Sequence, residues 1–500
     1  MEGDGDRATH LRYSGLLVFA SKITTAFTGL YFMWILARNL TQQEFGGVYF
    51  INGVLAFFLF FSGVIPYWSS REVAVRKGGA YVSLLSNLFL SLPFTLVYLG
   101  LAGMFSAEGH VPYLAVLVAA PIISLTFLLS STNGSINALN PASLAGTELA
   151  GDLLKIVLAL FLVVSLKLGL VGAEASISAA YLASAVYSFR SLRKLAHENV
   201  MWDVRRVARW LSLSWLIAAS SVVSYFYNGL DKFLLGLISE PALGAYGMAL
   251  LLASQLNPVS SISTALYPHV LRAGGEDKKA SRDLLALTLT FSVPMLFGLV
   301  FFSVPLLSVF SRKYAQLSAL PLFSLAAAYF ISSTFFSFLD SLIYGGERVD
   351  IGVRDLFRSK FFQGFLMQLV VLAVMIPVMW EAGLKFGALG MSIAVLIGAL
   401  LKLLGRLLIA GKRASGVFPH RTFFNSLVSA SLMSAVLVCL PHGRSLLVIA
   451  EVFLGAAIYF GLMYLLDRQF RGYAFYVRNK LVGSKRRRWG SARVERLLLS

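Results

Sequence analysis

The chain places charge inside its most apolar stretches. In "SVVSYFYNGLDKFLLGLIS", residues 221–239, Asp231 and Lys232 stand side by side. Lys22 interrupts "VFASKITTAF", Asp152 and Lys155 lie three apart in another apolar run, and Asp340 sits in a fourth. An ionised side chain in hydrocarbon is costly and rare, so each is a candidate for handling an ion or a charged cargo. Bond-making chemistry has no comparable signal. The six histidines are scattered, with no H-E-x-x-H and no Cys/His cluster, so neither a metal nor another cofactor is expected. "GRLLIAGKR" has five residues between its glycines where a P-loop has four, so ATP is not expected to act directly. No catalytic residue emerges, and the chain reads as a non-enzyme.

Each group has a plainer reading beside the functional one. Lys22 lies about ten residues into the first apolar run, near a bilayer midplane at ~1.5 Å per residue. A central Lys there costs about 2.5–3.5 kcal/mol. Ser14, Ser21, Thr25 and Thr28 share helical spacing with it, so the first helix carries a polar stripe facing a wet cavity; the alternative is a structural Lys satisfied by a carbonyl or an acid. Ser221, Ser224, Asn228 and Asp231 form one polar face of a later helix. Neighbours on a helix point about 100° apart, which makes Asp231 and Lys232 poor partners for one another. A pair between Asp231 and Arg38 closing an outer gate stands against a simple interfacial anchor in which Lys232 snorkels. Asp152 and Lys155 suggest a local pair near a helix end. Asp340 is either a carrier for a coupling proton or sodium ion, or an acid in the headgroup region.

These side chains need helices to hold them. Of 500 residues, 57% are hydrophobic and 13% charged, with mean hydropathy +0.75; an ordinary soluble domain carries roughly 25% charged residues. The apolar runs are continuous rather than alternating, which excludes a β-barrel and predicts an all-α polytopic membrane protein. Fourteen transmembrane helices fall near 12–37, 44–66, 80–105, 112–137, 148–166, 170–189, 210–237, 242–267, 284–310, 316–343, 359–380, 385–409, 421–440 and 445–466. The lone cysteine, Cys439, lies in an apolar run and is expected to be buried. The first run is too long for a secretory h-region and its flank too acidic, so it is expected to remain as a span.

Charge orients the bundle. With the N-terminus inside, 34 of the 43 Lys and Arg fall on inside segments, 6 on outside segments and 3 (Lys22, Lys155, Lys232) within spans. That bias predicts both termini in the cytoplasm. It also accounts for the net charge of +19 through loops facing anionic lipid, without nucleic acid. The basic tail "GSKRRRWGSARVERLLLS" is expected on the cytoplasmic membrane surface.

A weak internal repeat divides the chain. At an offset of 197 residues, Gly47-Val48-Tyr49 falls on Gly244-Ala245-Tyr246, each after a helix end and a short polar turn. Six spans separate the copies, the parallel-repeat arrangement of transporters. The expected organisation is an N-terminal six-helix lobe (1–205), a C-terminal six-helix lobe (206–412), two additional helices (413–470) and the basic tail (471–500).

"ILARNLTQQEFGGVY" after the polar-striped first helix, and "NGLDKFLLGLISEPALGAYGMA" at the seventh, resemble the Wzx-like polysaccharide flippases of the multidrug/oligosaccharidyl-lipid/polysaccharide exporter superfamily. The resemblance implies two six-helix lobes around a central cavity bounded by spans 1, 2, 7 and 8, and a groove for a lipid tail at spans 13 and 14. It implies movement of a polyprenyl-(pyro)phosphate-linked oligosaccharide from the inner to the outer leaflet of the cell membrane by alternating access. Lys22, Ser21, Thr25, Thr28, Ser221 and Asn228 would then contact the cargo. Arg71 and Arg272 would meet its head group at the cytoplasmic entrance, or serve as ordinary positive-inside residues. Arg38, Asp231, Lys232 and Asp340 are the gate or coupling candidates. The partners are the lipid-linked substrate, membrane lipids and H+ or Na+, acting on a monomer. An ion-coupled multidrug or metabolite antiporter of the same superfamily is the alternative; a cation carrier would favour acids at mid-depth, where Lys22 is the clearest charge.

Overall fold

The computed structural model describes residues 24–25, 27–74, 78–140, 143–196, 203–260, 262, 278–345, 359–440 and 445–472. Among them every regular element is helical. In lipid a helix satisfies its own backbone, which apolar side chains cannot do for it. In chain order the elements are α1 (24–39), α2 (Gln42–Ala56), α3 (Val64–Ala74), α4 (Ala80–Glu108), α5 (Tyr113–Ala119), α6 (Pro121–Leu139), α7 (Leu144–Ala159), α8 (Gly169–Leu195), α9 (Val204–Leu213), α10 (Trp215–Ile238) and α11 (Glu240–Ala253). Then come α12 (Lys278–Phe301), α13 (Ser303–Phe310), α14 (Arg312–Leu317), α15 (Ala319–Phe330), α16 (Ser337–Gly345), α17 (Lys360–Ala410), α18 (His420–Cys439) and α19 (Ser445–Leu466). Among the described residues helix covers most of every expected interval, and eight helices are long and apolar enough to cross a membrane.

The helices are less regular than apolarity suggests. The second expected span breaks at residues 57–63, between α2 and α3. Asn87 of α4 bonds the carbonyl of Ser62 at 2.9 Å and that of Phe127 at 2.7 Å, supplying a donor where the ladder stops. α7 runs into a π-helical turn, Leu160–Ser165, and α15 into another, Ile331–Phe336. α17 runs over 51 residues, about 77 Å if straight, more than twice a hydrocarbon core. Gly387 (φ 54, ψ −130) turns the chain inside it, so it holds the expected spans 11 and 12 with no loop between.

The chain forms two compact units. The first comprises residues 1–255, 310–325 and 356–402; the second, 256–309, 326–355 and 403–500. At the centre of the first, α2 packs on both α10 and α11. Contact is close because the crossings use glycine. A Cβ on Gly46 would clash with the carbonyl oxygen of Glu240, and one on Gly244 with that of Gln42. A Cβ on Gly229 would stand 2.7 Å from the oxygen of Gly53, where α2 meets α10. Without a hydrophobic drive between helices in lipid, such small-residue approaches hold the bundle by packing.

The α2–α11 contact is reciprocal. Gly46 meets Glu240 while Gly244 meets Gln42, so the two copies of the sequence repeat lie against each other. This sets the offset at 198 rather than 197: Thr41 answers to Ser239, Gln42 to Glu240, Gly46 to Gly244. The helix starts agree. Thr41 caps α2 in a capping box with Glu44, and Ser239 caps α11 through the Ala242 N–H.

In the second unit α12 packs on α18 and α19 around Leu285, Leu289, Met433, Leu437, Tyr459 and Met463. The Tyr459 hydroxyl donates to the Thr290 carbonyl at 2.8 Å. Cys439 ends α18 exposed, not buried: α18 turns Met433, Ser434 and Leu437 inward, and Cys439 falls off that stripe.

Candidate substrate-binding site

The described part of α1 carries the polar stripe to α7. The Thr28 hydroxyl donates to Asp152 Oδ2 at 2.9 Å, and Lys155 Nζ lies 2.8 Å from Asp152 Oδ1. Lys155 also sits 5.1 Å over the Phe32 ring, one turn along α1 from Thr28. Thr25, a turn the other way, has a buried hydroxyl with no partner among the described residues. Lys155 and Asp152 pair because three residues along a helix bring side chains to one face. Thr28 precedes Asn39, the last residue of α1, by eleven positions, about 16 Å, half of a ~30 Å core. α7 begins at Leu144, earlier than the interval expected, so Asp152 lies about two turns into the helix.

Ser21, Lys22 and Arg272 lie outside the described residues. Arg71 is exposed near the end of α3, its guanidinium 4.3 Å over Tyr67 and 5.6 Å from the Trp68 ring. Ser221 is half-buried and Asn228 exposed on α10.

Asp231 is buried, and its partners are local. Tyr246 of α11 donates to Oδ2 at 2.5 Å, and Lys232 Nζ stands 3.3 Å from Oδ1 while also bonding the Asn228 carbonyl. Adjacent helix positions do pair here, because the long Lys stem bends back across the angle between them. Arg38 is engaged elsewhere: it lies 4.4 Å over Trp34 and donates from Nε to the Phe310 carbonyl at 3.3 Å. Lys313 of α14 donates to the Leu40 carbonyl at 2.6 Å, so two cations strap the end of α1 to residues 310–313. Burial lowers the Lys313 pKa, and Glu44 opposes the shift.

Asp340, in the second unit, has a partner the sequence reading counted as a loop cation. Arg406 Nε lies 2.6 Å from Asp340 Oδ1, with the guanidinium 4.9 Å over Phe336. Arg406 is 3% exposed, and its partner Asp340 is half-buried. Glu174 of α8 also escaped the sequence reading; it is 1% exposed and its Oε1 has no hydrogen-bond partner among the described residues. Its acidic type inside an apolar run was the available signal.

Residues 35–319 match the family model described as "Polysaccharide biosynthesis protein". The chain belongs to this family. Its fold is that of the superfamily named above. The lipid II flippase MurJ, in an inward-closed conformation, matches with a TM-score of 0.71 and 14% identity, over 91% of this chain and 99% of that one. An inward-facing multidrug resistance MATE family transporter of the MOP superfamily matches with a TM-score of 0.58 and 13% identity, over 78% and 96%. A eukaryotic MATE transporter matches with 0.57 and 13%, over 80% and 96%. No curated protein matches by sequence. Family, fold and apolar helices together make this a multi-pass membrane protein of transporter architecture.

Proposed function

We propose that the chain is a flippase that carries a polyprenyl-(pyro)phosphate-linked oligosaccharide from the inner to the outer leaflet of the cell membrane, both termini being cytoplasmic. One observation carries this reading: a chain of a polysaccharide biosynthesis family has the fold of a lipid II flippase over 91% of its length, whereas the MATE folds extend over 78–80%. The site chemistry supports it. Lys155 is a cation held by Asp152, whose other oxygen accepts from Thr28, and a phosphate oxygen can join or replace that carboxylate. Lys22, six residues before Thr28 in sequence, supplies the second cation in this reading, with Ser21, Thr25 and Thr28 offering hydroxyls. Arg71 and Arg272 attract the head group, and the lipid tail remains in the bilayer. Asp231 with Lys232, and Asp340 with Arg406, are the ion pairs that exchange partners during alternating access.

Reconstitution tests it. Purified protein in vesicles is given a fluorescent polyprenyl-pyrophosphate oligosaccharide in one leaflet, and its appearance in the other is read with a membrane-impermeant quencher. Transfer above that of empty vesicles is expected, reduced by Lys22→Ala and by Lys155→Gln. Absence of transfer, together with uptake of an organic cation driven by a proton or sodium gradient, would favour the antiporter instead.

A further inference from the structure

Three helix ends of the second unit converge on a cavity of about 350 Å³: the start of α12, the start of α18 and the residues that follow α19. Its chemistry is lopsided. Lys279, Arg282, Arg421 and Arg468 line it, all exposed, and none pairs with a described carboxylate. The two acids on its wall are already engaged. Asp467, 2% exposed, accepts from Asn425 Nδ2 at 3.1 Å and from the N–H groups of Gln469 and Phe470 at 2.8 and 2.9 Å. Asp283 accepts from Gln469 Nε2 at 2.7 Å, and the Thr422 hydroxyl faces Gln469 Oε1 at 3.4 Å. A fixed frame of amides and carboxylates thus carries four cations around one hollow, an excess of two over Asp283 and Asp467.

Exposed apolar side chains stand beside the lining residues along the same helices. Phe424 on α18 is 66% exposed, and Leu465 and Leu466, just before Asp467, are 70% and 43% exposed. A ligand seated among the cations can continue along these side chains in hydrocarbon. We propose that this cavity is a binding site for the phosphate head group of an anionic membrane lipid, with its acyl chains lying along α18 and α19. Arg and Lys match phosphate oxygens, and a basic pocket between membrane helices is the physical form such sites take. The assignment of the site to the cytoplasmic leaflet rests on the topology proposed above; the lipid chemistry does not rest on the flippase reading.

Native mass spectrometry of the delipidated full chain in detergent tests it with no transport assay. Dioleoyl phosphatidylglycerol, dioleoyl phosphatidylcholine and glycerol phosphate are the three probes. The expected result is one saturable phosphatidylglycerol adduct, bound at least about tenfold more tightly than either other probe. The variant Lys279→Gln/Arg282→Gln/Arg421→Gln/Arg468→Gln should lose that preference, and Arg193→Gln/Lys194→Gln, exposed cations of the other unit, should keep it. If the fourfold variant does not fold, Arg421→Gln and Arg468→Gln alone are each expected to weaken the adduct two- to fivefold, about the share of one surface cation. Equal binding by wild type and variants, equal binding of phosphatidylcholine, or loss in the control overturns the proposal. Glycerol phosphate binding as tightly as the lipid overturns the lipid and leaves a soluble phosphate site.

Discussion

Gly46 and Gly244 face one another across the crossing of α2 and α11: a Cβ on Gly46 would meet the Glu240 carbonyl oxygen and stand 3.0 Å from the Gly244 nitrogen, and one on Gly244 would meet the Gln42 carbonyl oxygen. The contact leaves no room for a side chain on either. Gly244→Ala should therefore destabilise the protein by about 1–3 kcal/mol or more through overpacking against the Gln42 carbonyl, and Gly46→Ala likewise against Glu240. Gly461→Ala in α19 is the contrast: nothing lies within 4 Å of its Cβ, and it should stabilise by about 0.5–1 kcal/mol through helix propensity. Thermal unfolding in detergent, followed by size-exclusion fluorescence, checks the opposite signs. Equal behaviour of all three variants would refute the crossing.

Asp152→Asn should leave Lys155 in the bundle without its counter-charge, at a cost of about 3–5 kcal/mol. Asp152→Asn/Lys155→Met should recover most of that stability and still fail to transport, because the cation is gone. Thr28→Val should cost about 1 kcal/mol or somewhat more, the share of one hydrogen bond to a charged group. Measuring unfolding and vesicle transfer on the same preparations separates the two roles.

Asp340→Asn should destabilise by about 1.5–3 kcal/mol, the share of a hydrogen bond between charged groups, since it removes the carboxylate beside the buried Arg406 guanidinium. Arg406→Lys should not substitute, as an ammonium lacks the planar fork that reaches Asp340 while stacking on Phe336. A double-mutant cycle in urea reads the coupling; additive single effects would show that the pair is incidental.

Lys313 gives a pH signature. Its folded-state pKa lies below the ordinary Lys value because burial penalises the ammonium. Between the two values the unfolded chain binds more protons than the folded one, so stability should rise with pH across that alkaline window. The penalty is present in full below the folded pKa and vanishes above the unfolded one. Lys313→Met should remove the rise. Denaturant midpoints measured in steps from neutral to alkaline pH provide the check, and parallel curves for the two proteins would contradict it.

The helices and the Asp152–Lys155 pair were legible in the sequence because both are local: apolar length and i, i+3 spacing fix them. The repeat was visible, but its register was off by one. Matching residue types aligned Gly47 and Tyr49 with Gly244 and Tyr246, whereas the structure matches N-caps and the glycines that touch, Gly46 with Gly244. Arg406 was missed because a basic residue near a helix end looks the same whether it faces a headgroup or an acid 66 positions away in the chain. In the sequence an Asp231–Arg38 pair stands level with an interfacial anchor, because the repeat brings Asp231 within a turn of Arg38; the structure gives Asp231 other partners. Tyr246 is fifteen residues on and in the next helix, and no periodicity announces it.

A contact in which position i of one copy meets position j of the other, and j meets i, is the signature of an isologous homodimer. Here one polypeptide carries both partners, and so escapes the obligation to match that a dimer of identical chains imposes. At the offset of 198, Lys232 answers to Trp34 and Asp231 to Met33. The two copies agree where their backbones touch and differ at 33–34 and 231–232, so an uncharged pair on one side answers a charged pair on the other.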